Sequence, residues 1–156
     1  RAASSDRLAM LIGRTLATAR DSLGGAPVGD SGVGGWCQYD RAVEPVGVVE
    51  FERLVAEALD GLPDELVDLM DNVVVLTADR GDPPDLLGLY DGVPLTQRED
   101  YGGLVMPDRI FVYRLALCEV CGDADELRHE VAVTVVHEVA HHFGIDDDRL
   151  DELGWA

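Results

Sequence analysis

Five consecutive residues, His137-Glu138-Val139-Ala140-His141, are followed by Gly144 and then Asp147. As a pattern this is H-E-x-x-H-x-x-G-x-x-D, the spacing of a catalytic zinc site. Four residues of α-helix turn a side chain through about 400°, so His137 and His141 lie one turn apart and roughly 40° from alignment. Two imidazoles so placed reach one ion at about 2.0–2.1 Å. Glu138 stands about 80° round from the mean of that pair, off the ligand direction but within reach of a water on the ion's open side. It is the candidate general base. Gly144 supplies the φ > 0 turn that ends a helix and sends the chain back, and Asp147 stands where a third ligand must come from. Three protein ligands leave a fourth position for water, whose pKa a catalytic zinc lowers to about 7. The expected site is therefore one zinc ion per chain on His137, His141 and Asp147, with Glu138 as the catalytic residue. Asp146 and Asp148 flank Asp147, and any of the three is able instead to cap a short helix over Arg149-Leu150-Asp151-Glu152-Leu153.

Other reactive side chains carry weaker signals. His142 points about 120° from the mean of the ligand pair, and His129 lies eight residues before His137, about 12 Å along the axis. Neither is placed to bind the same ion, and His142 reads as a packed or hydrogen-bonded structural residue, with support of the ligands from behind as the other reading. Cys118-Glu119-Val120-Cys121 is a C-x-x-C without a second half, because Cys37 stands alone in a glycine-rich stretch. Two free thiols are expected there. Tyr90, Tyr101, Tyr113 and Arg109 are candidates to stabilise an oxyanion, and the sequence does not rank them.

The motif resembles that of zincins whose third ligand is aspartate, and the surrounding chain is similar to a family of small bacterial zincin-like metallopeptidases, the mini-zincins. The similarity runs through Leu86-Leu87-Gly88-Leu89-Tyr90, Gly92-Val93-Pro94-Leu95-Thr96, Pro107-Asp108-Arg109-Ile110 and the motif itself, and on to Leu153-Gly154-Trp155. It covers residues 45 to 156. The resemblance implies zinc on His137, His141 and Asp147, Glu138 as base, a minimal zincin fold, and a chain able to form a homodimer. In one respect the sequence departs from larger zincins: Met10, Met70 and Met106 all precede the motif, so no methionine turn follows it. Trp155 is the candidate for the apolar floor beneath the ligands, with ordinary core packing as the other reading.

These residues need a scaffold, and the pattern predicts an α+β one. Phe51, Leu54, Val55, Ala58 and Leu59 recur at helical spacing, ended by Gly61 and Pro63, and a second short helix follows from Pro63 to Met70. Val73-Val74-Val75-Leu76 suits a buried strand, and Leu86 to Tyr90 and Arg109 to Arg114 read as two more. Asp123, with Glu126 three residues on, opens a long helix through Phe143 that is apolar on most sides and therefore buried. The expectation is a small three- to four-stranded sheet packed on helices that include this long active-site helix. Residues 24 to 35 have linker composition, dividing an N-terminal tail with a short helix, 1–42, from a zincin-like domain, 43–156. Tyr101-Gly102-Gly103-Leu104-Val105 reads as a turn, with approach to a substrate cleft as the alternative.

Composition narrows the function. The chain of 156 residues has a formal net charge of −19 and no lysine. Such acidity disfavours nucleic-acid backbones and weakly favours cationic peptides. No apolar run approaches the roughly 20 residues of a membrane span, and the chain reads as cytoplasmic. The expected function is a zinc-dependent metallopeptidase acting on peptide or protein substrates. Two alternatives stand beside it: a catalytically silent metal- or partner-binding zincin-like domain, and a metal-dependent endoribonuclease, which Glu138 and the acidity both disfavour.

Overall fold

The computed structural model describes residues 44–98 and 106–152. The N-terminal tail, Cys37, the Tyr101–Val105 segment and Trp155 lie outside the described residues.

The first helix, α1 (Val48–Asp60), buries Phe51, Leu54, Val55 and Ala58 and leaves Val48 and Val49 exposed. Its apolar positions fall three and four apart, so one stripe meets the core. Gly61 ends it, and a single turn, α2 (Asp64–Val67), follows with Leu66 fully buried. Three strands come next: β1 (Val73–Ala78), β2 (Gly88–Asp91) and β3 (Asp108–Tyr113). The sheet order is β1-β3-β2, with β1 parallel and β2 antiparallel to β3. Among the described residues β2 is therefore an edge strand, and β3, at the centre, turns Ile110 and Val112 inward with no exposure.

The chain turns directly from β3 into α3 (Arg114–Val120). The sequence pattern does not predict this helix, because Arg114 reads as the end of a strand. Its N-cap, Tyr113, makes no side-chain capping bond. Ala116, Leu117 and Cys118 are buried, so packing rather than a cap holds it. Arg114 bonds Asp79 beyond β1 and the Val46 carbonyl ahead of α1, tying three parts of the chain together.

The 19-residue helix α4 (Ala124–His142) crosses the core between α1 and the sheet. Asp123 caps it, its Oδ1 accepting from the Asp125 and Glu126 amides, while Glu126 accepts from the Gly122 amide. This reciprocal arrangement satisfies donors that the first turn leaves open. Leu127, Val131, Val135, Val136, Val139 and Ala140 are all buried, giving the helix the near-complete enclosure that its composition predicts. At the far end the Gly144 amide donates to the His141 carbonyl and the Ile145 amide to the Ala140 carbonyl, with Gly144 at φ 79°. That is a Schellman turn, the expected use of glycine at this position. The last described helix, α5 (Asp147–Glu152), is anchored by Leu150, which is fully buried.

The architecture is α+β, a three-stranded mixed sheet packed on helices that include one long buried helix. Among the described residues, no helix is long and apolar enough to cross a membrane.

Candidate metal centre

The C-terminal end of α4 carries the half-buried His137 and His141 one turn apart, their rings 4.7 Å between centroids and nearly perpendicular. Asp147 is the first residue of α5 and reaches them from across the Gly144 turn. Asp147 Oδ1 lies 3.1 Å from His137 Nε2 and 3.4 Å from His141 Nε2. Two ligands held about 2.05 Å from a tetrahedral ion stand roughly 3.3 Å apart, so these spacings fit a zinc-sized ion. One donor atom of each of the three residues lies within 4.8 Å of the others, close enough for a single ion to bridge them.

Two local bonds orient the candidates. Asp146, not Asp147, caps α5: its Oδ1 accepts from the Arg149 amide at 2.9 Å and its carbonyl from the Leu150 amide. Asp147 is thereby left with its carboxylate directed at the histidines. His141 Nδ1 lies 2.9 Å from the Ile145 carbonyl, which only accepts, so Nδ1 carries the proton and Nε2 presents its lone pair toward Asp147. A carbonyl partner of this kind orients a metal-binding imidazole and raises its basicity.

Glu138, next to His137 in the chain, is held inside the protein. Its side chain is 6% exposed. Burial pushes its carboxyl up to about 7; a charge on His141, when that ring is protonated, and the Tyr90 backbone amide oppose this, and Asp147 adds to it. The Tyr90 amide belongs to the sheet's edge. Because Tyr113 donates to the Leu87 carbonyl at 2.9 Å, antiparallel alternation directs the backbone groups of Gly88 and Tyr90 away from β3 and toward the open edge. Gly88 closes in further. A Cβ there would stand 2.6 Å from Glu138 Oε1 and 2.7 Å from Thr134 Cγ2, so only glycine lets the strand lie so close to Glu138.

A second cluster sits behind the first. His142 is fully buried, and its Nδ1 donates to Asp108 Oδ2 at 3.0 Å. Asp108 also accepts from the Tyr90 hydroxyl at 2.6 Å, from the Arg98 guanidinium and from the Val93 amide. Burial pushes the Asp108 carboxyl up, but the hydroxyl, imidazole and amide donors and the Arg98 charge outweigh it and hold the group below its ordinary value. The sequence marked one member of this cluster, His142, as packed or hydrogen-bonded, and missed Asp108 and its other partners. These are scattered over residues 90 to 108, and the available signal was an aspartate at the head of β3.

A family model described as zincin-like metallopeptidase matches residues 63–155. The chain belongs to that family. The match spans the sheet, α4 and the three candidate ligands of this zincin-like chain, so the family and the metal-binding geometry fall on the same residues. No curated protein matches the chain.

The remaining candidates separate by environment. Tyr90 turns its hydroxyl to Asp108 and Arg109 pairs with Asp91 on the outer face of the sheet. Tyr113 packs its ring over Gly81 and stacks on Phe111. Cys118 and Cys121 are free and buried, and burial followed by neighbouring acidic charges pushes the Cys121 thiol up to about 12. A protonated, enclosed thiol is a poor nucleophile, which places this C-x-x-C with the core. Of the methionines, Met70 packs against the core and Met106 is exposed.

Proposed function

We propose that this zincin-like protein is a zinc-dependent metallopeptidase with Glu138 as its general base. The observation that carries the reading is the convergence of His137, His141 and Asp147 at the outer end of α4, with an enclosed carboxyl between them and an open strand edge. Zinc in this site would polarise the scissile carbonyl and acidify the attacking water.

The chain's own groups supply the rest. A carboxyl with an affinity for protons near neutrality suits a base that must both accept and return a proton. Glu138 takes a proton from the attacking water on a carboxylate oxygen and passes it to the leaving amine nitrogen. The opposite charge of a bound cation favours the ionised form that begins this cycle. The free edge of β2 offers backbone groups to a peptide in extended form, which would lie in register beside Glu138. A net charge of −19 favours a peptide over a nucleic acid as the substrate.

The test compares the parent chain with Glu138→Gln for metal content and for cleavage of a mixed peptide library. Zinc near one per chain in both, with cleavage reduced about 10²–10⁴-fold in the variant, is the expected result. Zinc in both with equal background cleavage would replace the peptidase by a metal- or partner-binding domain.

A further inference from the structure

We propose that Asp108 is the positioning residue of the metal centre, a buried clamp that holds the edge strand and the end of the ligand-bearing helix in one fixed relation. The proposal rests on the reading of His137, His141 and Asp147 as metal ligands.

The segment Gly88–Arg98 wraps the active end of α4 and meets it at three levels. Gly88 lies against Thr134 and Glu138, Tyr90 packs its ring edge-on to His142 with centroids 6.0 Å apart, and Thr96 fills the space beside Gly144. None of these contacts fixes distance by itself, since each is a packing contact that tolerates sliding. Asp108 supplies the fixed point. It sits on β3, the central strand, and is 4% exposed. From there its carboxylate holds the wrapping segment by the Tyr90 hydroxyl, the Val93 amide and Arg98, with the Gly92 backbone pressed against it.

The same carboxylate holds the helix through His142. That ring is enclosed, and its Nε2 has no hydrogen-bond partner among the described residues. Asp108 is thus what orients it by hydrogen bonding. His142 is the last residue of α4, adjacent to His141 and two residues before the turn that delivers Asp147. A shift of the ring therefore moves two of the three ligands. One buried anion on the central strand thus couples the edge beside Glu138 to the ligand cluster. Groups that orient metal ligands from behind govern affinity about 10–100-fold.

The experiment measures zinc affinity by chelator competition and the visible spectrum of the cobalt(II)-loaded protein, which reports ligand geometry. Four chains are compared, the parent, Asp108→Asn, Tyr90→Phe and, as a control for general destabilisation, Leu62→Ala. Asp108→Asn should weaken zinc binding about 10–100-fold and alter the cobalt spectrum. Tyr90→Phe removes one arm of the clamp and should weaken zinc several-fold; it carries the test should Asp108→Asn not fold. Leu62→Ala empties part of the core and should lower Tm while leaving both metal readouts unchanged. Parent-like zinc affinity and cobalt spectrum in both clamp variants would overturn the proposal, as would an equal loss in Leu62→Ala. A parent chain that binds neither metal would overturn the metal centre and the clamp together, which separates the two failures.

Discussion

Glu138 is a carboxyl kept from water, and its position sets stability against chemistry. Its ordinary value is 4.5, whereas the folded chain holds the proton up to about 7. Between those values the folded state binds more protons than the unfolded one, so stability falls as pH rises through the window. Below about 4.5 both states are protonated and nothing is lost; above 7 both are ionised and the full cost remains. A shift of this size corresponds to at most about 3 kcal/mol. Metal-free Glu138→Gln, which cannot ionise, should therefore exceed the metal-free parent in stability by about 2–3 kcal/mol near pH 8 and match it near pH 4.5. Urea unfolding at the two pH values checks this, and a gap independent of pH would reject the assignment. The neighbouring histidine pair was fully legible from spacing. Glu138's environment was not, because it depends on Gly88 and Tyr90, about 50 residues earlier.

At the scale of elements, the Gly144 turn joins α4 to α5 and brings Asp147, the third candidate ligand, toward the histidines. A Cβ at Gly144 would collide with Thr96 Oγ1, and φ 79° is a conformation that L side chains rarely adopt. The φ cost alone is about 1–2 kcal/mol. Gly144→Ala should thus destabilise the fold by at least about 2 kcal/mol and weaken zinc binding, with Thr96→Gly in the same chain relieving the collision but not the φ cost. A double-mutant cycle in denaturant measures the split, and an additive pair would deny the contact. This turn was foreseeable from a lone glycine after a helical pattern. The three strands and the long helix were likewise marked by apolar runs and by the Asp123 cap. The unforeseen element was α3, which follows β3 without a loop and without a capping side chain. Local signals locate elements that begin and end in local chemistry, and α3 begins in neither glycine, proline nor cap. Asp108 escaped for a related reason: its partners lie 10 to 34 residues away along the chain.

Across the whole molecule the dominant quantity is charge. With 31 acidic residues against 12 arginines, the surface field attracts cations over distances set by salt. For peptides that differ only in charge, kcat/KM should favour arginine-bearing over aspartate-bearing sequences at about 0.01 M salt. The preference should shrink several-fold by about 1 M, where the screening length falls from ~30 to ~3 Å. A preference unmoved by salt would point to a specific subsite contact instead.

The separation between the ligands and what aligns them also has a kinetic side. His137, His141 and Asp147 fall within eleven consecutive residues, so they meet by closing a short loop, one of the fastest events open to a chain. The contacts of Asp108 join β3 to segments on either side and form only once the sheet has assembled around α4. The two sets of contacts therefore differ in reach: the candidate ligands are brought together by one helix end and one turn, whereas the contacts of Asp108 span 10 to 34 residues. What brings the candidate ligands together is local in the chain, and what holds them against the sheet is not.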